Sequence, residues 1–126
     1  MKLVLIDTSV WVDHFRANNS ALSELLAFDV ALTHPMVIAE LACGTPPDRL
    51  RTLSDLAELQ QTQQASLGEV MMFIEREKLF GLGCGVIDLL LLASTLMTPG
   101  VELWTLDKRL SVLAGRFGVQ HHPKLH

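Results

Sequence analysis

The chain has 126 residues, 49% hydrophobic and 19% charged, with only 8 Gly and 5 Pro, which excludes disordered, collagen-like and low-complexity chains. Ten basic against fourteen acidic side chains leave a net charge of −4, so binding nucleic acid through a broad basic surface is excluded. Metal ions bridging carboxylates to phosphates would still permit it.

Lys2 to Ile6 is a short apolar run that reads as a strand buried on both faces. It ends at Asp7-Thr8-Ser9, a turn able to cap a helix over Val10 to Arg16, with Trp11 and Phe15 on one face. Ser20 is expected to cap a second helix carrying Leu22, Leu25 and Leu26. Val30 to Thr33 is the next strand, and His34-Pro35 opens a helix from Met36 to Cys43. Apolar residues three apart predict a helix over Arg49 to Leu59, and Gln60 to Gln64 can form a short edge strand. Ser66 begins a helix through Phe80, and Val86 to Met97 is an almost wholly apolar helix. Val101 to Leu106 is a strand, Lys108 to Ala114 a helix stopped by Gly115, and Val119 begins a short tail.

Strands alternating with helices predict parallel βαβ units, hence an α/β sandwich with helices on both sheet faces. There is no internal repeat or linker, so one domain over 1–126 is expected. The apolar stretch from Leu79 to Val101 is not a membrane span. It holds Gly81, Gly83, Gly85 and Asp88, and Pro99-Gly100 lie within it. Cys43 and Cys84 form neither a disulfide framework nor a Cys/His ligand set and are expected as buried small residues. The first ten residues are too short and too soon charged for a signal peptide, so a cytoplasmic protein is expected.

Three acids, Asp7, Glu40 and Asp88, stand singly in apolar sequence with no cation nearby. An ionised carboxylate buried without a partner is costly, so such residues are paired, protonated or bound to metal. Asp7 and Asp107 each follow a predicted strand, at the sheet edge where ligands bind in open parallel sheets. Asp88 and Glu40 lie near the starts of helices that reach the same edge. Three of the acids have a plainer explanation, a helix cap for Asp7 and Asp107 and an exposed helix position for Glu40; Asp88, apolar on both flanks, fits one least. Their joint placement favours one site. Four carboxylates without cysteine or histidine ligands suit a hard cation, Mg²⁺ or Mn²⁺. The hydroxyls of Ser9, Thr105 and Thr8 can orient a strand-end carboxylate, or simply close local turns. Ser94 and Thr95 are expected to bond back within their helix, and His121, His122 and His126 to form a mobile tail. Arg16, Arg49, Arg51, Lys108 and Arg109 are candidate phosphate contacts or solvated surface residues.

The segments VLIDTSVWVDHFR, VIAELACG, GVIDLLLLAS and LWTLDKRL resemble, in order and spacing, the four motif regions of PIN-domain nucleases. The length and first motif are most similar to VapC-type toxins of bacterial toxin–antitoxin pairs. The resemblance implies a Rossmann-like, three-layer α/β/α sandwich with a central, mostly parallel sheet, and a metal-dependent endoribonuclease acting on RNA. It implies Asp7, Glu40, Asp88 and Asp107 as the catalytic acids, with metal held by Asp7, Asp88 and Asp107. Ser9 and Thr105 match its supporting hydroxyls. It also implies a homodimer and a cognate antitoxin whose C-terminal segment covers the acidic cleft. No organic cofactor is implied. The leucine run Leu89 to Leu92, where the family has a small, alanine-rich helix, and Cys84 in the glycine loop depart from the pattern.

Three other readings stay open. A phosphatase-like hydrolase would want a second acid where Ser9 stands, and a receiver-type domain would want an acidic pair and a late lysine. A non-catalytic metal-binding or regulatory module acting through a protein partner would keep the acids for stability.

Overall fold

A computed structural model describes residues 2–124. Three parallel strands, β1 (Leu3–Ile6), β2 (Ala31–Leu32) and β3 (Val101–Trp104), form a sheet in the order β2-β1-β3. Val4 pairs with Ala31 on one side and Glu102 on the other, and Ile6 pairs with Trp104. Neighbouring residues of a strand point to opposite faces, and Val4, Leu5 and Ile6 are all buried, so both faces of β1 are covered.

Among the described residues seven helices flank the sheet: α1 (Thr8–Ala17), α2 (Ser20–Ala27), α3 (Pro35–Ala42), α4 (Arg49–Ala57), α5 (Leu67–Glu77), α6 (Val86–Met97) and α7 (Lys108–Arg116). Parallel neighbours require crossovers, which α1–α2 supply between β1 and β2, and α3–α6 between β2 and β3. The expected α/β sandwich is therefore present. The core joins the sheet to Val10, Leu22, Val37, Leu91, Leu92 and Leu110. Among the described residues no helix is long and apolar enough to cross a membrane.

Several boundaries differ from expectation for identifiable reasons. Asn19, not Ser20, caps α2, because its side chain accepts the Leu22 amide at 3.0 Å. Helix α5 stops at Glu77 because Lys78 turns left-handed (φ 54°), which directs Leu79 into the core. Gly115 lies inside α7, and the chain turns instead at Gly118 (φ 74°). The segment after it is built into the sheet: the Leu103 amide donates to the Val119 carbonyl and the His121 amide to the Leu103 carbonyl. His121 also packs on Trp104 and meets Glu102 Oε1 at 3.1 Å, so it is fixed rather than part of a mobile tail. His122 is exposed, and His126 lies outside the described residues. The expected edge strand at Gln60–Gln64 reduces to one parallel bridge between Thr33 and Gln61. Cys43 is exposed and Cys84 half-buried.

Candidate active site

Chain direction places the candidate acids. In a parallel sheet all strands end on the same edge, and there β1 delivers Asp7 directly and the turn after β3 delivers Asp107. Asp7 is 5% exposed, so its carboxylate needs partners, and two hydroxyls supply them. Ser9 Oγ donates to Asp7 Oδ2 at 2.6 Å and Thr105 Oγ1 donates to the same oxygen at 2.7 Å. The Ser9 amide also reaches that oxygen, at 3.4 Å, so Asp7 is the N-cap of α1 as well. The candidate site residue is thus also a helix cap.

The network continues into the next acid. Thr105 Oγ1 accepts the Asp107 amide at 3.1 Å, and Ser9 Oγ accepts the Leu106 amide at 3.0 Å. Asp107 caps α7 through Oδ1, which accepts the Leu110 amide at 3.0 Å. The two hydroxyls expected to support the site thus tie the ends of β1 and β3 together, 98 residues apart in sequence.

Asp88 arrives from α6, where its Oδ2 accepts the Gly85 amide at 3.2 Å and closes the first turn of the helix. Burial pushes the Asp88 carboxyl above its usual range, and the charges of Asp7 and Asp107 push it further in the same direction. Those two carboxylates are therefore its electrostatic neighbours. Among the described residues none of the four acids forms an ion pair with Lys, Arg or His. Among the described residues this holds even for Asp107, which Lys108 and Arg109 follow in the chain.

Glu40, exposed on α3, joins the edge by a different route, accepting the Thr8 hydroxyl at 2.6 Å. Thr8 therefore serves Glu40 rather than a strand-end acid. Three acids cluster electrostatically, and Glu40 stands beside them through the residue after Asp7. Cys84, in the loop before α6, feels Asp88, Asp107 and Arg109; burial and the two acids raise its thiol pKa, which opposes a reactive thiolate.

The donor set fits a divalent cation in kind: carboxylates that repel one another, flanked by hydroxyls. Among the described residues, no three His, Cys, Asp or Glu side chains are arranged to enclose a metal ion.

Two supports were not visible beforehand. His34, 2% exposed at the start of α3, accepts the Met36 amide on Nδ1 at 3.0 Å. Its Nε2 meets Ser94 Oγ of α6 at 3.1 Å, and Ser94 also accepts the Ala65 amide. Ser94 thus bonds across the core instead of back along its helix, while Thr95 does bond back, to the Leu91 carbonyl. The helices bearing Glu40 and Asp88 are locked together by that contact. The signal available in sequence was His-Pro at a helix start, a position where a histidine can act as a cap. The second support is Gly85, whose amide meets Asp88; a glycine three residues before an acid at a helix start is its signature.

No protein-family model matches the chain. It is 43% identical over 117 residues to Ribonuclease VapC32 of Mycobacterium tuberculosis, in each of two strains, CDC 1551 and H37Rv. The alignment covers 93% of this chain and 94% of the relative. With this likeness, a parallel α/β sandwich and acids gathered at its C-terminal edge, the chain belongs to the VapC-type PIN-domain ribonucleases, the endoribonuclease toxins of toxin–antitoxin pairs.

Proposed function

We propose that this chain hydrolyses phosphodiester bonds within RNA at the edge formed by Asp7, Asp88 and Asp107. The observation carrying the proposal is the raised Asp88 carboxyl, pushed up first by burial and then by the charges of Asp7 and Asp107, with none of the three acids ion-paired to a Lys, Arg or His among the described residues. Such a cluster favours a divalent cation, and Asp7, Asp88 and Asp107 are the residues that would hold Mg²⁺ or Mn²⁺. A bound ion supplies an activated water and neutralises charge building on the phosphate.

The chain's own residues do the positioning. Ser9 and Thr105 both donate to one oxygen of Asp7 and so fix its carboxylate in one orientation. The α7 cap holds Asp107, and the Gly85 amide holds Asp88. Glu40, steadied by Thr8, completes the acidic edge and orients the attacking water in line with the leaving oxygen. Without a cation the edge repels RNA, so substrate binding itself depends on the ion. A cognate antitoxin whose C-terminal segment covers this edge, a homodimeric assembly, a single domain over 1–126 and a cytoplasmic location complete the proposal.

The test is cleavage of total cellular RNA by purified, antitoxin-free protein with Mg²⁺ or Mn²⁺, with EDTA and Asp7→Asn as controls. Discrete fragments lost in both controls support the proposal. Folded protein that leaves RNA intact overturns it, in favour of a metal-binding module working through a protein partner.

A further inference from the structure

We infer that the groove between α1 and α3 is a nucleotide subsite, taking an unstacked base of single-stranded RNA with its phosphate beside the acidic edge; the inference rests on the ribonuclease proposal above. The groove has a volume of about 450 Å³. That falls within the roughly 300–1,000 Å³ of small-ligand sites. Its walls are Phe15, Leu41, Pro46 and Pro47, with Arg16 among them. Its remaining lining includes Thr8 and Glu40, already joined by a hydrogen bond at the candidate active site.

The walls are preformed. The Phe15 ring is stacked on buried Trp11, with centroids 6.0 Å apart and planes inclined by 29°. Opposite, the turn after α3 is pinned by Arg49, whose Nη2 donates to the Ala42 carbonyl at 2.7 Å and Nε to the Gly44 carbonyl at 3.2 Å. The Thr52 hydroxyl donates to the Pro47 carbonyl. Arg49 is thereby committed to the scaffold, whereas Arg16 makes no ion pair among the described residues.

An aromatic ring and proline faces for stacking, with a guanidinium for a phosphate, are what an unpaired nucleotide requires. Contiguity decides its position. Thr8 follows Asp7 in the chain, so a strand whose scissile phosphate lies on the acids can place an adjoining nucleotide in this groove. A segment of a protein partner is the competing occupant, and the experiment separates the two.

Two variants of the full chain alter the groove and leave all four acids unsubstituted. Thr45→Trp fills it from an exposed turn position, and Arg16→Glu reverses its charge. With a defined single-stranded RNA and saturating Mg²⁺, each should raise KM about tenfold and leave kcat within about twofold, at unchanged circular dichroism. In parallel, AMP, CMP, GMP and UMP are titrated into the unaltered chain by NMR, with ribose 5-phosphate as the base-free probe. Saturable shifts of the Val12, Phe15, Arg16 and Thr45 amides with nucleotides alone support the subsite. Equal shifts with ribose 5-phosphate, or none with any nucleotide, overturn it. An unchanged KM in both variants, with antitoxin binding lost in Thr45→Trp, assigns the groove to a protein segment. If Asp7→Asn abolishes cleavage while both groove variants cleave normally, the subsite falls and the ribonuclease proposal stands. If the unaltered chain cleaves nothing, that proposal falls, and the NMR titration alone decides the groove.

Discussion

The imidazole of His34 and the hydroxyl of Ser94 meet at 3.1 Å, joining the start of α3 to the interior of α6. Because Nδ1 accepts the Met36 amide, the ring proton sits on Nε2 and is donated to Ser94. Burial lowers the His34 pKa from 6.5. The native state therefore binds this proton less readily than the unfolded chain does. Its stabilising contribution is complete above pH 6.5 and declines as pH falls through the window down to the lowered value. A proton on Nδ1 would also remove the cap of α3. Thermal unfolding between pH 7.5 and 5 should show a falling Tm, with a shallower slope in His34→Asn. Equal slopes would remove His34 from the explanation.

Ser94→Ala leaves the Ala65 amide and the His34 Nε2 proton without a partner in a fully buried place. An unmet buried donor costs about 1–3 kcal/mol. With two donors left unmet, denaturant unfolding should show a loss at or above the upper end of that range. The larger consequence is expected in catalysis, because the contact sets α3 against α6. Cleavage rates compared at temperatures where both proteins are fully folded measure that component.

Asp88→Asn has opposite effects on stability and activity. The raised Asp88 pKa means that the native state holds this proton more tightly than the unfolded chain. Its contribution is present below pH 3.8 and is lost as pH rises through the raised value, so at neutral pH the ionised group destabilises the metal-free protein. Asparagine keeps an acceptor for the Gly85 amide and removes the repulsion. Allowing for solvent screening of a half-exposed group, the gain is about 0.5–1 kcal/mol, or a Tm rise of about 2–4 °C in EDTA. RNA cleavage should disappear. Added Mn²⁺ should raise the Tm of the unaltered protein and have little effect on the variant.

Thr105→Val removes one of the two hydroxyls on Asp7 Oδ2 and the acceptor for the Asp107 amide. Loss of a residue that orients a metal-binding carboxylate typically costs 10–100-fold in metal affinity or activity. The Mg²⁺ dependence of cleavage should shift to higher concentration by about that factor. Thr105→Ser, which retains the hydroxyl, should restore it. A variant that cleaves normally at low Mg²⁺ would exclude this role.

Gly83→Ala tests the loop before α6. Gly83 has φ +88°, and an added Cβ would lie 2.7 Å from Arg109 Cδ. Backbone strain alone costs about 1 kcal/mol or more. The Arg109 side chain must also move away from the loop that carries Cys84 and leads to Asp88. We expect a Tm lowered by several degrees and reduced cleavage, whereas Gly81→Ala, with no atom within 4 Å of its added Cβ, should show the strain effect alone.

How much was legible in the sequence depends on the range of the interactions involved. The buried run Leu3–Ile6, the caps at Asp7, Ser66 and Asp107, and the helix-opening His34-Pro35 are local signals, and the elements follow them. Strand direction was enough to bring Asp7 and Asp107 to one edge. Long-range choices were not legible. Whether Ser94 bonds to its own helix or to His34 depends on which residue faces it across the core. Gly115 sits within α7 because the turn is completed three residues later, where Val119 to His121 can pair with β3. Glu40 meets Thr8 only because α1 and α3 pack side by side.

The bond between Thr105 and Asp7 also sets a timetable. Asp7 emerges early during synthesis, but its second hydroxyl, the strand beside it and the α7 cap are specified about a hundred residues later. At roughly 5–20 residues per second, that interval is about 5–20 s. For all of it the nascent chain carries the first acid of a nuclease without the partners that assemble one. A toxin wired this way reaches its folded geometry only near the end of its own translation.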